Sequence, residues 1–159
     1  MSGIKTLSQI VEIRNDLRHH NKKVVFTNGV FDILHAGHVD YLLKSKSLGD
    51  VLIVGINSDA SVKRIKGDLR PVVPQNERAF IISSLKAVDY VVIFDEDTPY
   101  ETIKRIIPDV LVKGADWEKD KIVGADIVEA NGGTVETIGF INQTSTTNII
   151  KTVLDKYRE

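Results

Sequence analysis

Apolar positions along this chain alternate between two periods, and the alternation predicts its elements. Leu7, Ile10, Val11 and Leu17 recur at helical spacing within and after Thr6-Leu7-Ser8-Gln9, a capping-box pattern. A helix is therefore predicted over about 6–20, ended by Asn21. The run 23–27 is short, apolar and β-branched, and reads as a strand; 39–48 then carries a helical pattern ending near Gly49. The run 51–56 is continuously apolar, as expected of a strand covered on both faces, and Asn57-Ser58-Asp59 behind it is a helix-capping cluster. A helix opens at Gln75 with Ile81, Ile82 and Leu85 inward, and 90–94 forms a third strand. Thr98-Pro99-Tyr100-Glu101 is a second capping box with proline at the first helical position; its helix carries Ile103, Ile106 and Ile107 and stops at Pro108. After a fourth strand at 110–113, a short helix over 122–130 ends at Asn131-Gly132-Gly133, and the last strand begins over 134–137. The stretch 143–147 caps a final helix with Ile149, Ile150, Val153 and Leu154 on one face.

Strands alternating with helices imply an α/β fold with a doubly wound, right-handed, parallel sheet. No repeat, linker or low-complexity segment divides the chain, so its 159 residues read as one domain. Ligand is expected at the carboxyl ends of the strands, near the switch in strand order.

Composition narrows this further. A chain 42% hydrophobic and 27% charged fits a soluble globular protein, and a net charge of -1 argues against broad nucleic-acid binding. The absence of cysteine excludes a disulfide framework and a cysteine zinc site, and suits a reducing cytoplasm. The first five residues carry no apolar signal core, and no apolar run approaches the roughly 18 residues of a membrane span. The expectation is an intracellular protein that engages neither membrane nor nucleic acid.

The candidate chemistry centres on Thr27-Asn28-Gly29-Val30-Phe31-Asp32-Ile33-Leu34-His35-Ala36-Gly37-His38. It lies between a strand and a helix N-terminus, whose unpaired N–H groups and positive dipole end attract phosphate. His35 and His38 are three apart, so both rings point the same way. A helical histidine is more often a surface residue, and an H-x-x-H pair can bind a metal, but zinc would want further Cys or His ligands and only His19 and His20 remain. Gly29 lets backbone approach a ligand, and Gly37 removes bulk between the histidines. Four cations, Lys63, Arg64, Lys66 and Arg70, fall within eight residues; they form either a solvated basic loop or a mobile flap over a triphosphate, and the flap is favoured. Arg78 opposes the dipole at its helix start, which makes it a candidate anion ligand. Lys44 and Lys46 read as a solvated helix face. No G-x-x-x-x-G-K-[ST] loop or G-x-G-x-x-G turn is present, which disfavours a P-loop kinase or a dinucleotide dehydrogenase.

The T-N-G-V-F-D-I-L-H-A-G-H stretch resembles the H-x-G-H signature of the nucleotidyltransferase superfamily, in its cytidylyltransferase-like branch, and the likeness extends over about 23–157. It implies a Rossmann-like fold in which His35 and His38 contact nucleotide phosphates and stabilise the transition state. Lys63, Lys66 and Arg78 join them as catalytic cations. Thr27, Asn28, Gly29, Phe31, Gly37, Lys113, Gly114, Asp116, Thr144, Ser145, Thr146 and Thr147 are the expected nucleotide-binding residues, the last three resembling an I-S-T-T motif that closes over the triphosphate. Asp59 looks like a substrate-side aspartate, and Asp32 and Arg70 join it around the acceptor. No protein-held metal is expected; Mg2+ enters with ATP. Two stretches, 54–63 and Lys113-Gly114-Ala115-Asp116, are most similar to the heptose-phosphate adenylyltransferases. These imply AMP transfer from ATP to a sugar 1-phosphate, giving pyrophosphate and an ADP-heptose for lipopolysaccharide. Where cytidylyltransferases have R-T-E-G this chain has Asn142-Gln143-Thr144. A cytidylyltransferase for glycerol 3-phosphate and an FAD-type adenylyltransferase stay open, as does a module that senses nucleotide without turnover. Members often pair, so a homodimer is also entertained.

Overall fold

The computed structural model describes residues 3–115, 118, 121–139 and 144–158. Five strands form one parallel sheet in the order β3-β2-β1-β4-β5. They are β1 (Val24–Gly29), β2 (Val51–Asn57), β3 (Tyr90–Phe94), β4 (Val110–Gly114) and β5 (Thr134–Ile138). The chain winds outward from β1 to β3, then crosses back to lay β4 on the other side of β1, so the switch point falls between β1 and β4. The predicted doubly wound sheet is therefore observed. A short segment extends it, with Lys5 N–H donating to Val91 O and Val91 N–H to Gly3 O along the β3 edge.

Alternation along the buried strands sends side chains to two cores. Val25, Val54, Ile56 and Val112 meet α2 (Ala36–Lys46) and α4 (Gln75–Ser83) through Tyr41, Leu42, Ala79 and Ile82. Val24, Phe26, Ile53 and Leu111 meet α1 (Leu7–His19), α5 (Tyr100–Ile106) and α6 (Ala125–Ala130) through Ile10, Ile103, Ile106 and Val128. Thr6 caps α1 with the predicted reciprocal box, and Ser58 caps α3 (Asp59–Lys66) by accepting from Ser61 N–H. Among the described residues no helix is long and apolar enough to cross a membrane.

Several local expectations are corrected. The strand after Lys23 runs on to Gly29, because Asn28 and Gly29 continue the ladder to Gly55 and Ile56; these residues end a strand rather than begin a turn. The second capping box does not form: Pro99 holds the cap position and no side chain closes it. Ile81 turns outward, 38% exposed, while Ile82 is buried. The basic stretch is not one loop, since Lys63, Arg64 and Lys66 occupy the last turn of α3, where cations suit the dipole. The final helix, α7 (Thr146–Tyr157), buries no residue, and Val153 and Leu154 are half exposed.

Candidate active site

The first turn of α2 places the two histidines. His35 is the extended N-cap residue, and the N–H groups of His38 and Val39 both donate to its carbonyl. The imidazoles stack, with ring centroids 3.8 Å apart and planes 28° from parallel. Gly37 permits this: a Cβ there would stand 3.1 Å from the His35 ring. Nδ1 of each ring is buried without a hydrogen-bond partner among the described residues. Burial lowers the pKa of both; in His38, burial and then the neighbouring His35 hold it to about 4, so both rings are neutral near pH 7 in the free protein. Unpaired buried polar atoms are rare, and here two stand side by side at an anion-attracting helix start.

Phe31 has a different part from the expected nucleotide contact. It is buried, takes a left-handed backbone (φ 47°), and sets its ring edge-on to His38 at 5.3 Å. Gly29 makes room for that ring rather than for a ligand, since a Cβ on Gly29 would lie 2.9 Å from it. The terminal hydroxyl run comes to the same place: Thr144 O lies 4.0 Å from a Cβ built on Gly37. Ser145 caps α7 by accepting from Asn148 N–H at 3.1 Å, and Thr146 and Thr147 form its first turn. Two helix N-termini, those of α2 and α7, thus converge at the carboxyl end of the sheet. Asp116 lies outside the described residues.

Thr27 is corrected outright. It is fully buried, its hydroxyl donating to Val112 O at 3.0 Å and accepting from Tyr41 at 2.7 Å, which ties β1 to β4 and α2. Its neighbour Asn28 faces the other side of the sheet and accepts from Lys113 Nζ at 2.5 Å, across the β1–β4 switch point. These two open onto a cavity of about 400 Å³ that Asn57, Asp97, Thr98 and Val123 also line. Pattern reading missed the last four; the one available signal was that Asn57 ends a strand and that Asp97 and Thr98 follow one. Ile65 brings the last turn of α3 to the same cavity, and on that turn Lys63 and Lys66 are exposed, whereas Arg64 reaches Asp97 at 2.7 Å and Asp95 O. Gly114, buried, closes β4 beside Lys113.

Four side chains expected at a ligand, Arg78, Asp59, Asp32 and Arg70, bond to the protein itself. Arg78 is 1% exposed; its Nε donates to Val73 O (2.9 Å), Nη1 to Val30 O (2.6 Å), and Nη2 to Asn57 O (2.9 Å) and Asp59 Oδ1 (2.7 Å). One guanidinium thus joins the ends of β1 and β2, the start of α3 and the lead-in to α4, and takes one oxygen of Asp59. Asp32 is buried and accepts from Arg70 Nε (2.6 Å), Val72 N–H (2.9 Å) and Val73 N–H (2.8 Å). Burial alone would raise its pKa; the backbone donors of Val73 and Val72, then Arg70, outweigh this and hold it below the ordinary carboxylate value. The segment 70–73 is therefore tied to Asp32, which anchors the carboxyl end of the basic stretch 63–70. Lys44 pairs with Asp40 on the exposed face, whereas Lys46 is half-buried and pairs with Asp89.

Comparison with known proteins agrees with this architecture. A model of the cytidylyltransferase-like family matches residues 26–152. The bifunctional protein HldE of a Nitratiruptor species is 57% identical over 148 residues, 93% of this chain and 31% of that protein. The protein of the same name from Geobacter metallireducens is 53% identical over 156 residues, 98% of this chain and 32% of its own. The chain therefore spans about a third of the length of these curated relatives. The crystal structure of the lipopolysaccharide core biosynthesis protein from Thermoplasma volcanium is 34% identical, with a TM-score of 0.61 over 77% of this chain and 99% of that one. Pantoate-beta-alanine ligase from Francisella tularensis, complexed with beta-gamma ATP and beta-alanine, shares the fold at a TM-score of 0.66 and 19% identity, covering 92% of this chain and 72% of its own.

Proposed function

This chain belongs to the cytidylyltransferase-like family, and from that premise we propose that it transfers AMP from ATP to a sugar 1-phosphate, a heptose 1-phosphate, releasing pyrophosphate and forming ADP-heptose. The observation that carries the reading is the stacked pair His35 and His38, whose buried Nδ1 atoms have no partner among the described residues where the N-termini of α2 and α7 converge. The choice of sugar leans on the relatives named HldE and on the likeness of 54–63 and 113–116 to heptose-phosphate adenylyltransferases.

A phosphate monoester oxygen of the acceptor attacks the α-phosphorus of ATP in line; the new P–O bond forms as the bond to the β-phosphate oxygen breaks, and pyrophosphate leaves. The nucleophile is already anionic, so no general base is needed; positioning and charge stabilisation suffice. The imidazoles and the first-turn N–H groups of α2 receive the developing charge, and an incoming phosphate raises the depressed pKa of both rings. Ser145, Thr146 and Thr147 at the start of α7 close over the β- and γ-phosphates. The acceptor occupies the cavity between Asn28, Lys113, Asn57 and Asp97, with Lys113 toward its phosphate and the polar groups of Asn57, Asp97 and Thr98 toward its hydroxyls. Lys63 and Lys66 add positive charge from the last turn of α3. Arg78, Asp59, Asp32 and Arg70 act as positioning residues that hold these strand-end loops.

Magnesium belongs to this reading as part of the substrate, ATP·Mg2+. Among the described residues no three His, Cys, Asp or Glu side chains come together as a metal site; in this reading the ion enters with the nucleotide. A cytoplasmic location and a homodimer complete the reading, and sedimentation of the purified chain tests the latter. The deciding experiment measures pyrophosphate release with ATP and with CTP, each against heptose 1-phosphate, glycerol 3-phosphate and flavin mononucleotide. ATP with heptose 1-phosphate should be fastest; faster turnover of CTP with glycerol 3-phosphate would make the chain a cytidylyltransferase.

A further inference from the structure

The opposite end of the sheet carries a second basic concavity that the proposed reaction does not use. It lies where α1 ends and β1 and β4 begin, roughly 20 Å from the histidines along strands rising about 3.3 Å per residue. Its volume is about 300 Å³, and Arg14, Arg18, Asn21, Lys22, Lys23 and Asp109 line it. We propose that this concavity is a second anion site, binding the phosphate group of a soluble small molecule between Arg14 and Arg18.

The charges there do not balance. Asp109, the one carboxylate of the lining, is already engaged: Oδ1 accepts from Arg14 Nη2 at 2.8 Å and Oδ2 from Val24 N–H at 2.7 Å. Arg14 is 2% exposed, with Nε spent on Ile107 O at 3.0 Å; among the described residues its Nη1 has no acceptor. Arg18 has no ion-pair partner among the described residues, and Lys22 reaches only Asp50, at 3.7 Å and exposed. Burial and then the charge of Arg18 lower the pKa of Arg14, with Asp109 opposing; an anion between the two guanidiniums would relieve both effects.

A helix C-terminus attracts cations, but that need is small here. The dipole amounts to about half a charge, and the last carbonyls of α1 already accept from His20, Asn21 and Lys22 N–H groups. Four cations exceed it. Asn21, in the left-handed conformation (φ 52°), turns the chain so that Lys22 and Lys23 return beside Arg14 and Arg18. Two guanidiniums with N–H donors left over fit a tetrahedral oxyanion in bidentate fashion, and the volume leaves space for a small organic body.

The test is a titration of the intact chain with pyrophosphate, followed by backbone amide NMR, with sodium chloride at matched ionic strength as control. Saturable shifts at Arg18, Asn21, Lys22 and Lys23 with a midpoint below about 1 mM are expected. They should vanish in Arg18→Ala, an exposed position, while shifts at Gly37 and His38 persist. Shifts at 18–23 that only track ionic strength, or that survive Arg18→Ala unchanged, would overturn the site. Because the 37–38 amides report separately, failure at 18–23 leaves the proposed reaction untouched.

Discussion

The stacked histidines and the arginine–aspartate network both stand at the carboxyl ends of the strands, yet their polar atoms are used in opposite ways. His35 and His38 keep buried Nδ1 atoms with no partner among the described residues, on neutral rings held by Phe31 and by the bareness of Gly37. Arg78 and Asp32 are buried as whole residues and spend themselves on protein: four donated bonds from one, and both oxygens of the other. A buried charge satisfied in this way organises loops, whereas an unsatisfied polar pair is a place prepared for something to bind. Residue type does not separate the two cases. What each side chain touches does.

Substitutions that act on stability in one group and on turnover in the other would sharpen this contrast. The largest expected effect is at Arg78: Arg78→Met leaves Asp59 and three carbonyls without their donor and should lower the unfolding free energy by about 3–5 kcal/mol, read from denaturant midpoints. Next, His35→Ala or His38→Ala should reduce pyrophosphate release by about 10²–10³-fold, or roughly 2.7–4 kcal/mol of transition-state stabilisation. Nucleotide affinity should change less, and the folded state should lose nothing. Asp32→Asn keeps the shape but removes the charge facing Arg70, Val72 and Val73. It should cost about 1.5–3 kcal/mol and open 70–73 to limited proteolysis.

The effect that is smallest near neutral pH is a pH dependence. The pKa of His38 is lowered from 6.5 to about 4, by burial and then by His35. Between those values the unfolded chain binds a proton that the folded free protein refuses, so stability from this group is lost as pH falls through that window and is fully present above it. His38→Ala should flatten the slope there. Triphosphate binding in the same window should take up protons, measurable by calorimetry in buffers of different ionisation enthalpy; binding without proton exchange would contradict the assignment.

Much of the fold was legible because helix and strand periods are written into local sequence. The strand at 51–56, buried on both faces, could hardly be anything else, and the Thr6–Gln9 box closed as its spacing demands. The site was legible in position but not in detail. His35 and His38 share a face because they are three apart on a helix. Whether Arg78 meets ligand or protein depends on carbonyls at Val30, Asn57 and Val73, and for Asp32 on Arg70 and the N–H groups of Val72 and Val73, which come from loops far apart in the chain. Asn28 and Gly29 looked like the start of a turn because β1 runs two residues further than its apolar core. Asp97 and Thr98 carry no local sign of a cavity; they reach it only because β3 delivers them there.

The most direct test sets turnover beside unfolding free energy for His38→Ala and Arg78→Lys, the second keeping a charge while losing the fork. Open donors at His38 predict a turnover loss of about 10²–10³ with an unchanged or higher denaturation midpoint. Spent donors at Arg78 predict a lowered midpoint, with turnover per folded molecule within about tenfold, or 1.4 kcal/mol, of the parent. Near-normal turnover in His38→Ala, or an Arg78→Lys protein as stable as the parent and as slow as His38→Ala, would contradict the division of roles.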